Sequence, residues 1–430
     1  MLVADRLIFA LTLLLFSMLT IFDGARNAIL FLSISGGFLV LLGVWLVLCR
    51  KVSELLQFFP EYKAVFFAWT IWLLLTWFQA YGLFGLDSVN PYQTYIELYL
   101  YIGYGALFVL LIALLRSPAR ILWLVSVILA VAALQTIFGM VNFYSESAVF
   151  GWAPTHYALK RVTGSYVNRN FYANLVAMSA GFPLIWALTR SRTENSLSSA
   201  HRYMHGGNEA IALALLLILL SGLMLSGSRA AVVSFAGAAF FVFFLVLRDK
   251  RLRISIAGLL LTGLASFVFF GAQLMGQRFS RLQMEASDRL EQWKTTLGLI
   301  NGSKITGFGA GSYEAVFRSR PSGELGPMTY NHAHNDYLEL ILEQGAVGLF
   351  LLGAIVCIPV WKSLHKLYQS RSLLRKRLIL SGLFGVSVIL LHALVDFPFQ
   401  VPANMWLFIA LLSIVISATR IDFRTPPEPT

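Results

Sequence analysis

Apolar runs of around twenty residues recur along this chain. Each is long enough to cross a hydrocarbon layer of ~30 Å as a helix. A backbone placed in lipid must pair its own N–H and C=O groups, so an open sheet is excluded and the runs read as helices. Twelve spans are expected, near 7–22, 28–49, 64–84, 97–115, 121–143, 170–189, 209–227, 230–247, 254–275, 337–360, 378–395 and 403–419. With 58% hydrophobic and only 13% charged residues, a soluble or disordered class is excluded. The expected fold class is an all-α polytopic membrane protein.

The charges set its orientation. With the N-terminus inside, the inner segments hold 21 of the 33 Lys and Arg residues. The clusters Arg248–Arg253 and Arg375-Lys376-Arg377 mark inner turns, while the turns 85–94 and 396–402 have neither Lys nor Arg. This is the positive-inside pattern. The net charge of +12 therefore reflects orientation and does not point to nucleic acid. The first span starts within ten residues and shows no cleavage site, so it is expected to stay as an anchor. Residues 190–208 read as an inner linker, and Cys49 and Cys357 give no disulfide framework.

Three outer elements are unusually polar. One is 145–170, with Lys160, Arg161, Asn168 and Arg169. The second is the turn Ser226-Gly227-Ser228-Arg229 between two apolar spans. Arg229 is a lone cation there, and holding it between two spans is costly unless it snorkels to the surface or binds something. The third is the long loop 276–334. Within it, Ala286, Leu290, Trp293, Leu297 and Ile300 fall on one helical face, opposite Arg289 and Lys294. That pattern suits a helix lying on the membrane surface or packed on the bundle. Gly307, Gly309 and Gly311 follow; such spacing fits a tight turn better than a phosphate cradle.

Residues 331–348 read NHAHNDYLELILEQGAVG. Asp336 and Glu339 are placed for a capping box, so a helix is predicted to start near Asp336. His334 then sits just ahead of the helix, at its positive end. An imidazole there titrates near neutrality and can take a proton from a hydroxyl. Gly345 and Gly348 are small residues expected to admit a neighbouring helix. His332-x-His334-x-Asp336 has spacing that a metal could use, but no acidic cluster is evident on the outer face, so no metal is expected. A Ser228–His334 hydrolase pair lacks the nucleophile-elbow context.

His334-Asn335, the nine residues Asp336–Gln344, then Gly345 and Gly348 make the chain resemble the O-antigen ligase and polymerase superfamily of bacterial envelopes. The stretches RVTGSYVNRN (161–170), LSGSR (225–229), Arg289–Gly311 with Trp293, and HALVDFPFQVPAN (392–404) are similar too. The resemblance implies a fold like that of GT-C membrane glycosyltransferases. It divides the chain into helices 1–9 (1–275), one long periplasmic loop with an amphipathic helix (276–334), helices 10–12 (335–420) and a cytoplasmic tail (421–430). It implies transfer of a glycan from undecaprenyl pyrophosphate to an acceptor hydroxyl, without cofactor or metal, at the periplasmic face of the bacterial inner membrane.

In this reading His334 and Asn335 are the catalytic residues, and Arg161, Arg229 and Arg289 hold the pyrophosphate. Arg169, His332 and Asp336 support them. The partners are the carrier-linked donor, a lipid A–core acceptor and membrane lipid. The single long outer loop favours a ligase, with a polymerase of carrier-linked repeats as the alternative. A lipid-linked oligosaccharide transporter is a third reading, disfavoured because the unusual residues gather at one face and not at mid-membrane. Glu97, near the outer end of the fourth span, is expected to face the cleft.

Overall fold

The computed structural model describes residues 2–21, 28–49, 52–146, 160–189, 199–246, 276–319 and 330–423. These residues form α-helices and short 3-10 turns, with no strand among them. The helices are α1 (Leu2–Ile21), α2 (Ala28–Cys49), α3 (Val52–Tyr81), α4 (Pro91–Leu114) and α5 (Pro118–Ser145). A broken pair follows, α6 (Arg169–Ser179) and α7 (Gly181–Leu188), then α8 (Ser199–Ser226) and α9 (Arg229–Val246). After these come α10 (Gly276–Ile300), the short α11 (Tyr313–Arg318), α12 (Asp336–Gln369), α13 (Leu373–His392) and α14 (Pro402–Arg420).

Eight helical stretches are long and apolar enough to cross a membrane: Ile29–Leu48, Pro60–Tyr81, Pro91–Leu114, Pro118–Ser145, Arg169–Leu188, Glu209–Ser226, Asp336–Gln369 and Pro402–Arg420. The described residues are thus all-helical, with the spans of a polytopic membrane protein. The expected spans at 7–22, 230–247 and 378–395 fall on α1, α9 and α13. The one expected at 254–275 lies outside the described residues.

Helix starts follow local chemistry. Asn90 and Ser117 accept from Gln93 N and Arg120 N, and each precedes a proline at the first helical position. Both devices satisfy or remove backbone donors that a helix start leaves open. The core lies around α14, whose Trp406 and Phe408 are buried. Trp406 meets Phe38 edge-on at 5.2 Å and Tyr104 at 6.4 Å. Within lipid such contacts hold helices together by close packing and not by exclusion of water.

The two ends of the bundle differ. At one end Arg120 pairs with Asp5 at 2.6 Å, Arg375 Nε donates to Ala418 O at 3.0 Å, and Arg377 Nε donates to Thr189 Oγ1 at 2.9 Å. At the other end meet the C-termini of α3, α8 and α13 and the N-termini of α4, α6, α9, α12 and α14. The polar sequence elements converge there.

The start of α12 is built differently from its expectation. The cap is Asn335, whose Oδ1 accepts from Tyr337 N at 3.0 Å and Leu338 N at 3.1 Å. Asp336 and Glu339 do not form the expected capping box; both turn to partners outside the first turn. Gly345 does not seat a neighbouring helix. It adopts φ 64° and ψ −164° and interrupts α12. The segment 304–309 crosses at this break: Phe308 N and Gly309 N donate to Leu342 O and Glu343 O at 2.9 and 2.8 Å. Ala346 N and Val347 N donate back to Lys304 O and Ile305 O at 2.9 and 3.1 Å. A Cβ on Gly345 would collide with the Ile305 carbonyl.

Gly345→Ala should therefore cost roughly 2 kcal/mol or more, from forced positive φ and a backbone collision. The apparent melting temperature of purified protein in detergent should fall well below that of wild type. Gly353→Ala, whose Cβ meets nothing within 4 Å, serves as the control.

Candidate functional site

His334 stands at the entrance of α12 with φ 50°. The left-handed region is uncommon for a residue with a Cβ, and strain of this sort persists where surrounding contacts impose it. The contacts are identifiable. Asp336 N donates to Ala393 O at 2.9 Å, Asn335 Nδ2 to Leu394 O at 3.0 Å, and Tyr337 Oη to Leu390 O at 2.8 Å. The first turn of α12 is tied to the end of α13. That places the His334 ring beside the α13–α14 link.

The partner waiting there is Asp396. Its Oδ1 lies 3.1 Å from His334 Nδ1 and accepts from Phe397 N at 3.1 Å. Its Oδ2 accepts from Asn170 Nδ2 at 2.7 Å and lies 3.7 Å from His392 Nε2. Burial raises the Asp396 carboxyl, but the His334 hydrogen bond and the charges of His392, His334 and Arg289 outweigh it. The net result is below the usual carboxylate range. An ionised Asp396 only accepts hydrogen bonds. His334 Nδ1 therefore donates to it, and in the neutral imidazole Nε2 presents a lone pair, an arrangement that suits a general base. The His334 side chain is 30% exposed and Asp396 only 2%, so the imidazole is open to its surroundings and its partner is not.

The arginines approach from the other side. Val162 N donates to Leu225 O at 3.3 Å, joining the 160–168 segment to the end of α8. A Cβ built on Gly227 (φ 65°) would stand 2.5 Å from Arg161 Nη1 and 3.8 Å from Arg169 Nη1. Gly227 thus leaves room for two guanidinium groups at the turn. Arg229 is exposed in the first turn of α9. Arg169 opens α6 one residue before Asn170, the Asp396 partner. Arg289 Nη1 donates to Val395 O at 3.0 Å. The expected arginines thus lie at the same end of the bundle as His334, and Arg289 and Arg169 lie within one residue of groups touching Asp396.

The remaining expected residues have separate partners. His332 Nδ1 lies 2.8 Å from Glu339 Oε1, and its ring stacks on Phe397 at 4.3 Å. The other face-edge contact of Phe397 is to His334, at 4.9 Å and 72°. Burial lowers His332, but Glu339, Glu97 and Asp396 reverse this and raise it above the ordinary histidine range. Asp336 Oδ2 accepts from Phe399 N at 2.9 Å. His332, His334 and Asp336 point to three different partners, so their alternate spacing does not converge. No group of three or more His, Cys, Asp or Glu among the described residues is arranged to hold a metal. Ser228 is 2% exposed with its hydroxyl buried, so it presents no nucleophile. Asn335 spends its side chain on the cap and on Leu394.

The loop elements follow two of the expected alternatives. The amide of Gly309 donates to Glu343 O, and Glu343 Oε1 accepts from Tyr313 N at 3.0 Å. The glycine-spaced loop is a tight turn around Glu343, not a phosphate cradle. Helix α10 docks by a polar face: Gln292 and Thr296 are buried, with Gln292 Nε2 donating to His332 O at 2.7 Å. Trp293 Nε1 donates to Ala333 O at 2.9 Å. Leu290 and Leu297, from the expected apolar face, are 53% and 52% exposed. An apolar stripe turned outward suits a helix resting on lipid.

Sequence reasoning missed Asp396 and the acidic side of the site. Asp396 lies inside the stretch HALVDFPFQVPAN that was already singled out. Its pairing needs 62 residues of intervening chain, which no local spacing reveals. An acidic cluster was not expected on this side. The fold nevertheless gathers Glu97, Asp336, Glu339, Glu343 and Asp396 there, from α4, α12 and the α13–α14 link.

Residues 214–353 match the family model described as O-antigen ligase. The matched stretch runs from α8 through the Gly345 break, and contains Arg229, Arg289, His332, His334, Asn335 and Asp336. Arg161, Arg169 and Asp396 lie outside it. No curated protein matches the sequence.

Asp396 should link stability to pH. A carboxyl lowered in the folded state adds stability that is fully present above its unfolded value near ~3.9 and is lost as pH falls through the folded value. Asp396→Asn should therefore melt below wild type at pH 7, and the gap should narrow as the pH falls below about 4.

Proposed function

We propose that this chain, a member of the O-antigen ligase superfamily, transfers a glycan from undecaprenyl pyrophosphate to a hydroxyl of lipid A–core. The observation that carries this reading is the His334–Asp396 pair set beside an arginine-lined turn. His334 Nε2 takes the proton of the acceptor hydroxyl, and that oxygen attacks the donor sugar at C1. The bond from C1 to the pyrophosphate oxygen breaks, and the configuration at C1 inverts. Asp396 stabilises the imidazolium that results.

The departing pyrophosphate gains negative charge. Guanidinium groups already fixed in place lower the barrier without moving. Arg161 and Arg169 at the Gly227 turn, with Arg229, are the groups we assign to it, since a planar guanidinium grips phosphate oxygens in pairs. Arg289 holds the α13–α14 link and adds positive charge beside Asp396. Asn335 positions His334 by capping α12. The reading includes twelve membrane crossings, a GT-C-like fold and cytoplasmic termini. It places the site at the periplasmic face of the bacterial inner membrane, where the carrier-linked glycan is presented. The turns 85–94 and 396–402 at this end carry neither Lys nor Arg, against the basic cluster Arg375-Lys376-Arg377 at the other, and this supports that orientation.

The test uses purified protein in nanodiscs with labelled undecaprenyl-pyrophosphate glycan, with and without lipid A–core. Wild type should yield product only when core is present. His334→Ala should bind donor and abolish turnover. Asp396→Asn should lower kcat by on the order of 10²–10⁴. Arg161→Lys should keep the charge but lose paired hydrogen bonds, with a drop of about tenfold or more. A ladder of longer carrier-linked chains without core would replace this reading with a polymerase. Full turnover by His334→Ala would remove the transfer chemistry altogether.

A further inference from the structure

The site is electrically divided. Arginines line the side formed by α6 and the α8–α9 turn. Carboxyl groups line the side formed by α4 and α12, where Glu97, Asp336, Glu339 and Glu343 gather. Between them stand His334, Asp396 and Phe397. A pyrophosphate is drawn to the first side. The second side offers carboxyl groups, which suit a hydrogen-bonding, uncharged ligand.

A cavity of about 80 Å³ opens on that side, lined by Trp72, Glu97, Tyr101, Tyr104, Asp336 and Gln400, among others. Asp336 is only 5% exposed, and its Oδ1 is buried with no hydrogen-bond partner. Leaving such an oxygen unpaired is costly, so it marks a place where a hydrogen-bonding partner is wanted. Among the described residues Glu97 Oε1 accepts from Gln93 Nε2, at 3.4 Å, and its carboxyl has further hydrogen-bonding capacity. His332 commits Nδ1 to Glu339 and leaves Nε2–H as a donor on a ring whose side chain is 35% exposed. A sugar hydroxyl both gives and takes a hydrogen bond. It can therefore meet a donor and an acceptor of this site together.

We propose that Glu97, His332 and the cavity behind them form the subsite for an uncharged, hydroxyl-rich acceptor sugar. It takes the edge of one ring, with the attacking hydroxyl directed across Phe397 to His334. This deepens, and rests on, the transferase reading. The protonated form of His332 is favoured by the charged groups that face it: Glu339 of α12, Glu97 of α4 and Asp396 of the α13–α14 link. From α10 comes the neutral Gln292, on the His332 carbonyl. The Nε2–H donor therefore persists to higher pH than on an ordinary imidazole, and it is lost as the pH rises through the raised His332 value.

The test measures binding separately from transfer, on the full chain in nanodiscs. The probes are dephosphorylated core oligosaccharide, the free repeat-unit oligosaccharide, and undecaprenyl-pyrophosphate glycan. Wild type should bind at least one free sugar. Glu97→Gln and His332→Ala should each weaken that Kd about tenfold while the donor Kd stays within twofold. Unchanged donor affinity also certifies the fold. His332→Gln, which restores an N–H near the Nε2 position, should recover most of the affinity. Wild-type sugar binding should weaken at alkaline pH, and that of His332→Gln should not. The proposal is overturned if neither free sugar binds, if both variants bind sugar normally, or if donor affinity falls with sugar affinity. Sugar binding with these mutant effects but no transfer would retain the subsite and refute the transferase reading.

Discussion

One buried carboxylate organises this end of the bundle. Asp396 receives hydrogen bonds from His334, from Asn170 and from the backbone of Phe397, and it has His392 within 3.7 Å. These groups belong to the α12 entrance, α6, the α13–α14 link and α13. Arg289 brings α10 to the same link through Val395 O. A charge this deeply buried persists only when its neighbours compensate for the lost hydration. Here the compensating groups include the His334 imidazole, so the folding that buries Asp396 also fixes the orientation of that ring.

The second organising feature is separation of charge across Phe397. Its ring contacts both histidines and meets Phe171 of α6 at 5.2 Å. On one side are guanidinium groups, on the other carboxyl groups. Each histidine has its own carboxylate, Asp396 for His334 and Glu339 for His332. Two imidazoles two residues apart thereby acquire distinct surroundings, and the one on Glu339, near Glu97, holds its proton more tightly than an ordinary imidazole.

Much of the fold was legible because lipid makes its rules local. A run of apolar residues is a helix wherever it falls, and the capped starts at Asn90, Ser117 and Asn335 are short-range signals. The candidates His334, Arg161, Arg229 and Arg289 were visible as polar residues set against apolar surroundings. What escaped depended on distant pairings. Asp396 lies 62 residues from His334, and Glu97 is remote in sequence from His332. Gly345 looked like a packing residue because small side chains serve both helix contact and helix interruption. Only the crossing of 304–309 distinguishes the two. The apolar face of α10 left two readings open, lying on the membrane surface or packing on the bundle; Leu290 and Leu297 turn outward as the first requires, while Gln292, Thr296 and Trp293 make the docking contacts.

The interruption at Gly345 has a mechanical consequence. Below it, residues 346–369 form the long membrane-spanning part of α12. Above it, residues 336–344 carry the His334 entrance and are fastened to α13 and to the 304–309 crossing. The crossing bonds residues on both sides of the break, Leu342 and Glu343 above it and Ala346 and Val347 below it. It thus acts as a splint, supplying partners where the helix has interrupted its own hydrogen bonds. The first turns of α12, with His334 ahead of them, take their position from this splint as well as from α13.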